Sequence, residues 1–329
     1  MKTRRLSILG RFLQTVEEYR LLSPGDYVLV AVSGGADSVC LLDLLRLVAG
    51  RYMLKLTGFH MNHRLRQESA ADESFVRKLF AGCRVELHVV RADVAGYARR
   101  HHLGIEESGR ALRYHHMERL AARLGCNRIA LGHTANDNLE TMLLNIVRGT
   151  GPSGLAGMPA CRGRFIRPLL DVERRDIERH LEARGISWVE DESNKDMSFR
   201  RNIMRHRVIP IMVDLNPSTV MNARRTARLL SDENEFLEGL AAKAAARVVV
   251  KGSRAKRIDT CKFNDYNDIL KRRVLKQLVP ELDSSAVEEV LKFSRRRAGG
   301  RLSISAGVRV RLQHGMLDLR RPKENTDNA

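Results

Sequence analysis

Two short blocks of this chain carry residue types suited to phosphate chemistry. The first is Ser33-Gly34-Gly35-Ala36-Asp37-Ser38 and the second is Gly132-His133-Thr134-Ala135-Asn136-Asp137-Asn138-Leu139-Glu140. Adjacent glycines let a backbone bend close around an anion and turn its N–H groups inward, and a helix starting just beyond adds its dipole. Asp37 stands at the mouth of that loop, where a carboxylate can orient Mg²⁺ or the loop itself. In the second block Asp137 and Glu140 are three residues apart, which puts both carboxylates on one helical face. Carboxylates beside a polyphosphate commonly hold Mg²⁺, so Asp37 and Asp137 are the candidate ligands. Favourable first-turn charge alone would account for Asp137 and Glu140, but it leaves the preceding Gly132-His133 without a reason. The first loop lacks a Gly-Lys-Ser/Thr ending, so a clamp on a terminal phosphate is not indicated.

These blocks need elements that bring them together. Residues 27–32 (Tyr-Val-Leu-Val-Ala-Val) read as a buried parallel strand, and from Val39 the apolar spacing becomes helical. Further strands are expected at 54–61, 85–91 and 128–132, and helices at 37–48, 71–80, 105–124 and 136–147. Such alternation predicts an α/β fold with a doubly wound parallel sheet, whose ligands bind beyond the carboxyl ends of the strands. His133 and Asp137 then belong at the same sheet edge as Ser33. The glycine-rich run 149–154 is expected to be a mobile loop near that edge. Asn216-Pro217-Ser218 marks a boundary before a helical stretch over 219–246, and the tail after Ile258 reads as two helices and a hairpin near 301–319. The expected organisation is a catalytic domain over 1–215, a helical linker over 216–250 and a smaller α+β C-terminal domain over 251–329.

Composition narrows the function. The 329 residues hold 58 Lys and Arg against 39 Asp and Glu, a net charge of +19. This excess favours a polyanionic partner. From Val220 onward there are 24 Lys/Arg against 14 Asp/Glu, so +10 falls in the last third. No long apolar segment supports a membrane partner. The five cysteines are dispersed, which argues against a disulfide framework, a zinc site or a cysteine-held cluster and for buried free thiols in a reducing cytoplasm. Arg4-Arg5 could open a twin-arginine signal, but Arg11, Glu17, Glu18 and Arg20 interrupt any apolar core, so a first helix is expected instead.

With both blocks in view, the chain resembles the bacterial tRNA(Ile)-lysidine synthases, whose phosphate loop has the pyrophosphate-loop pattern Ser-Gly-Gly-x-Asp-Ser. The resemblance runs through His60-Met61-Asn62-His63-Arg64-Leu65-Arg66 with Ser69 and Asp72, Arg110-Ala111-Leu112-Arg113-Tyr114, and Leu143 to Gly151. It continues through Gly154-Leu155-Ala156-Gly157-Met158, Arg167-Pro168-Leu169-Leu170, Trp188-Val189-Glu190-Asp191-Glu192-Ser193-Asn194 and Arg201-Asn202-Ile203-Met204-Arg205-His206. It covers most of residues 25–212; beyond about 216 it is one of layout, that of the short form with one small C-terminal domain. It implies ATP bound at Ser33, Gly34, Gly35, Ala36, Asp37 and Ser38, with Mg²⁺ at Asp37 and Asp137. It implies catalytic roles for Asp37, Arg113, His133, Asp137 and Glu140, and contacts to RNA from Arg201, Arg205 and His206. The reaction implied is ligation of L-lysine to C2 of the wobble cytidine in a tRNA(Ile) with a CAU anticodon. It proceeds through an adenylated base, releases AMP and pyrophosphate, and changes codon reading from AUG to AUA. A cytoplasmic enzyme is expected, with a homodimer as one open assembly. One departure is that relatives carry paired aspartates where this chain has Asn136-Asp137. A tRNA thiolase with the same loop, a small-molecule ligase and a non-catalytic basic RNA-binding protein are the alternatives. Dispersed cysteines argue against the first, the charge against the second and the two blocks against the third.

Overall fold

A computed structural model describes residues 6–62, 69–190, 196–197, 199–250, 256–296, 298–304 and 307–320. The chain divides into two compact units, Met1–Leu230 and Ser231–Ala329. The first holds a six-stranded sheet of β1 (Tyr27–Ala31), β2 (Lys55–Asn62), β3 (Glu86–Arg91), β4 (Arg128–Ala130), β5 (Cys161–Arg162) and β6 (Phe165–Ile166). Their order is β3-β2-β1-β4-β6-β5, parallel throughout except for the β5–β6 pair. The helices are α1 (Ile8–Glu18), α2 (Ala36–Tyr52), α3 (Ser69–Cys83), α4 (Val94–His101), α5 (Ile105–Leu124), α6 (Ala135–Arg148), α7 (Pro152–Leu155) and α8 (Arg174–Ala183). Two short helices follow, α9 (Arg200–Ile203) and α10 (Ile209–Leu215), joined by a π-turn at Met204–Val208.

The apolar run of β1 reflects cover on both faces. Val28 and Val30 join one core with Leu41, Leu44 and Leu45 of α2, whereas Leu29 joins the other with Phe59, Met117 and Ile129. Each such buried side chain contributes roughly 1.5–3 kcal/mol relative to exposure. The chain passes from β1 to β2 on one side, while β4 lies on the other. A crevice therefore opens beyond the carboxyl ends of β1 and β4, where strand order reverses. Both sequence blocks follow those two strands.

The long helix α11 (Thr219–Val248) is not a separate linker over 216–250. Val220, Arg224 and Ala227 are buried in the first unit, where Arg224 Nε donates to Asp171 Oδ1 at 2.6 Å. In the second unit α12 (Thr260–Asn264), α13 (Asp268–Leu278) and α14 (Ser284–Ser294) accompany an antiparallel sheet. That sheet comprises β7 (Val249–Val250), β8 (Lys256–Asp259), β9 (Gly300–Ser303), β10 (Arg309–Gln313) and β11 (Met316–Arg320) in the order β7-β8-β11-β10-β9. The expected hairpin is thus the centre of a five-stranded sheet. Cys40 and Cys126 are buried, but Cys161 and Cys261 are exposed, which corrects the expectation of uniformly buried thiols. No helix among the described residues is long and apolar enough to cross a membrane.

Candidate active site

The loop after β1 is shaped by its own side chains. Gly34 has φ +102°, a backbone state that side-chain-bearing residues rarely adopt. The Ser38 hydroxyl accepts from the N–H groups of Ser33 (3.1 Å) and Gly34 (3.3 Å) and donates to the Gly35 carbonyl (2.9 Å). These two loop amides are therefore spoken for, contrary to the expectation that the whole loop donates to an anion. The amides of Ala36 and Asp37 stand in the first turn of α2, where a helix has no internal acceptor to offer. Gly132 lets the second block approach. A Cβ there would lie 3.1 Å from the Asp37 carbonyl carbon and oxygen.

Asp37, Arg113, His133 and Asp137 line one cavity of about 370 Å³, together with Ser33, Gly35, Ala36 and Ser38. Burial, and next the Asp137 carboxylate, raise the Asp37 carboxyl to about 7, against the pull of Arg174 and Arg205. Its Oδ1 is buried and accepts no hydrogen bond. An ionised oxygen left so is costly unless a cation takes it. His133 is held neutral, its ring lowered to about 3, foremost by burial and then by Arg167, Arg201 and Arg113 against the opposing Asp137.

Asp137 is better satisfied. Its Oδ2 accepts from the Thr134 N–H (2.8 Å) and hydroxyl (3.1 Å), closing a capping box at the start of α6. Its Oδ1 accepts from Nη2 of Arg201 (2.9 Å) and Arg205 (3.3 Å). The residues fit a magnesium ion in one respect: Asp37 has a buried oxygen with no hydrogen-bond partner. Asp137 would have to release a guanidinium to join it. Among the described residues no group of three or more His, Cys, Asp or Glu converges as a metal site. Magnesium needs only one or two carboxylates when phosphate oxygens and water complete its shell.

Three expected roles change. Glu140 is 1% exposed, lies outside the cavity lining, and accepts from Arg201 Nε (2.5 Å) and Arg205 Nε (2.6 Å). It holds those arginines in place from behind the cavity wall. Arg201 and Arg205 are partly exposed but do not form a free basic surface, because Asp137 and Glu140 pair with both of them at the cavity wall. His206 is exposed and outside the cavity, so the three expected RNA contacts do not converge. The 149–154 loop also departs from expectation. It follows the far end of α6, whose 14 residues span about 20 Å from the sheet edge. His63, Arg64, Leu65, Arg66, Asp191, Glu192, Ser193 and Asn194 lie outside the described residues.

Sequence reasoning missed Arg174, which lines the cavity, pairs with Glu178 at 3.1 Å and feels the Asp37 charge. Nothing in Arg174-Arg175 marks one of the pair. The signal is its neighbour: Asn136 Oδ1 accepts the Arg174 N–H at 3.0 Å, at the start of α8. An aspartate at 136 would keep that bond and add a charge favourable to the helix N-terminus. Asn136→Asp should therefore leave kcat/KM within about threefold of wild type. A steady-state assay showing a loss beyond tenfold would mean that the amide itself is needed.

Residues 7–212 match the family model of the PP-loop domain. A tRNA(Ile)-lysidine synthase of Caldanaerobacter subterraneus is 30% identical over 98% of this chain and 71% of its own length. One of Chlorobaculum tepidum is 33% identical over 97% of this chain and 98% of its own. Another, of Porphyromonas gingivalis, is 43% identical over 72% of this chain, which spans about half (51%) of that relative. Among solved structures, the U34-tRNA thiolase of Methanococcus maripaludis with its [4Fe-4S] cluster superposes with a TM-score of 0.57 at 16% identity, covering 68% of this chain and 79% of its own. At that identity the likeness concerns the fold alone.

Proposed function

We propose that this chain, which belongs to the tRNA(Ile)-lysidine synthase family, joins L-lysine to C2 of a cytidine in tRNA at the expense of ATP. The observation that carries the reading is the open, buried Oδ1 of Asp37 beside a phosphate loop, at the reversal point of the sheet. In the first step the cytidine O2 attacks the α-phosphorus, a new O–P bond forms, and the bond to the β-phosphate bridging oxygen breaks to release pyrophosphate. In the second step the lysine amine bonds to C2, the C2–O bond breaks to expel AMP, and the amine gives up its proton. The Ala36 and Asp37 N–H groups hold phosphate oxygens, and Arg113, on the cavity wall, meets the charge that grows at the α-phosphate. Neutral His133 offers a hydrogen bond without adding charge. Arg201 and Arg205, fixed by Glu140, keep Asp137 ionised against burial. A magnesium ion held by Asp37, with Asp137 beside it, would supply Lewis-acid stabilisation of the phosphates.

The CAU anticodon, the cytoplasmic setting and a homodimeric assembly belong to the same proposal. Against a thiolase stand the five cysteines, spread over Cys40, Cys83, Cys126, Cys161 and Cys261. The test is pyrophosphate release from ATP. We expect it to require a CAU-anticodon tRNA and to proceed without a sulfur donor; release that is indifferent to RNA would contradict the reading.

The C-terminal unit is part of the proposal as a tRNA-binding domain, given its 21 Lys/Arg against 14 Asp/Glu over residues 231–329, a net +7. A cut at 216 would strip Val220 and Arg224 from the first unit, so the informative truncation ends at Leu230. Residues 1–230 should bind ATP as the full chain does but lose tRNA affinity and part of its salt dependence. An unchanged slope of affinity against salt would mean that the C-terminal charge is merely solvated.

A further inference from the structure

We propose that Arg110 and Arg162 form a clamp for RNA backbone phosphates at the mouth of the cavity, on either side of the base that enters it. The proposal rests on the function argued above. The Cζ atoms of Arg110 and Arg162 lie 5.5 and 5.8 Å from the centroid of the Tyr114 ring. That ring packs against Phe165 with centroids 4.7 Å apart, so its place is fixed by the core. Tyr114 and Arg110 line the cavity, as does Arg113, one turn further along α5. Arg167 is buried, with Nη1 bonded to the Pro159 carbonyl at 2.8 Å, and both Arg110 and Arg162 oppose its charge.

Two guanidinium groups thus stand over one ring, with the charges of Arg113 and Arg167 felt nearby. Arg110 and Arg162 are exposed, and neither has a carboxylate partner among the described residues. The contrast lies across the same cavity, where Arg201 and Arg205 are matched one for one by Asp137 and Glu140. One end of the site is self-neutral; at the other Glu106 attracts Arg113, but no carboxylate pairs with Arg110 or Arg162 among the described residues. Exposed like charges kept together without an ion pair of their own point to an anion supplied from outside. A place over the Tyr114 ring holds each guanidinium by cation–π attraction while leaving N–H groups for phosphate oxygens, a use that favours arginine over lysine. The triphosphate has its own donors at Ala36 and Asp37, so the shared chemistry, phosphate, has two sources to separate.

The test uses the full chain with Arg110→Gln and Arg162→Gln combined, comparing tRNA affinity against salt and ATP affinity in parallel. Losing two phosphate contacts to a single strand should reduce the slope of log affinity against log salt by about 1.4 and weaken binding about tenfold near physiological salt. ATP affinity should hold. The paired Arg→Lys variant should restore most of the slope, because it returns charge without the planar guanidinium. An unchanged slope in the Gln variant would overturn the clamp, as would loss of ATP affinity with the slope intact, which would assign the phosphates to ATP. If wild type shows no tRNA-dependent pyrophosphate release, the function itself fails and the clamp with it; if release is normal and only the slope refuses to move, the clamp alone fails.

Discussion

Asp37→Asn is expected to lower kcat/KM by on the order of 10³-fold while making the ligand-free protein more resistant to heat at neutral pH. The two effects have one cause. Burial and Asp137 raise the Asp37 carboxyl from 3.8 to about 7. A carboxyl whose folded pKa lies above its unfolded value keeps a proton that the unfolded chain releases. Wild-type stability from this group therefore falls as pH rises from about 4 to about 7. Asparagine does not titrate, so its advantage over wild type grows across that window and is largest above it. The open Oδ1 is the mark of a group kept for its ligand at the expense of the fold. Thermal melts at pH 5 and pH 8, with turnover measured alongside, check both halves. Wild-type turnover by a folded Asp37→Asn protein would remove Asp37 from the mechanism, and a lower melting temperature at pH 8 would refute the electrostatic account.

Asp137→Asn should be as damaging to activity and opposite in its effect on stability. Burial pushes the Asp137 carboxyl up, but Arg201 first, then His133 and the Thr134 N–H, overcome it and leave the group below its ordinary range. The stability it confers is present above the unfolded value and is lost only as pH falls through the lowered one. Removing one member of a buried charged set strands its partners and costs about 3–5 kcal/mol. Here Arg201 and Arg205 would be left with Glu140 alone, while the asparagine oxygen could still accept from Thr134. The check is a melt at neutral pH and turnover across a magnesium titration. Normal turnover at every magnesium concentration would show that the charge of Asp137 serves the fold only.

The parts of the site that share strand ends were legible in the sequence because topology alone brings them together. A loop after β1 and a loop after β4 must meet when those strands are neighbours, and this placed Asp37, His133 and Asp137 correctly. The side-chain pairings were not legible. Arg201 and Arg205 lie more than 60 residues from the carboxylates they meet, and among 58 basic residues nothing singles them out. The helix α8 was missed although Ile177 and Leu181 stand at helical spacing, because they are the only two buried residues of its ten. β6 was missed because two residues, Phe165 and Ile166, cannot display one at all. The 219–248 helix was found, but its division between two units depends on contacts such as Arg224 with Asp171, which no local pattern encodes.

The most direct measurement follows labelled lysine into RNA. The full chain is incubated with ATP, magnesium, radiolabelled L-lysine and a CAU-anticodon tRNA, and the tRNA is digested to nucleosides. The account predicts label in a single modified cytidine, with one AMP and one pyrophosphate formed per lysine incorporated, and none with Asp37→Asn. Pyrophosphate and AMP released with the tRNA present but no lysine carried into it would contradict the account, and would mean that this ATP site activates the base for a different nucleophile.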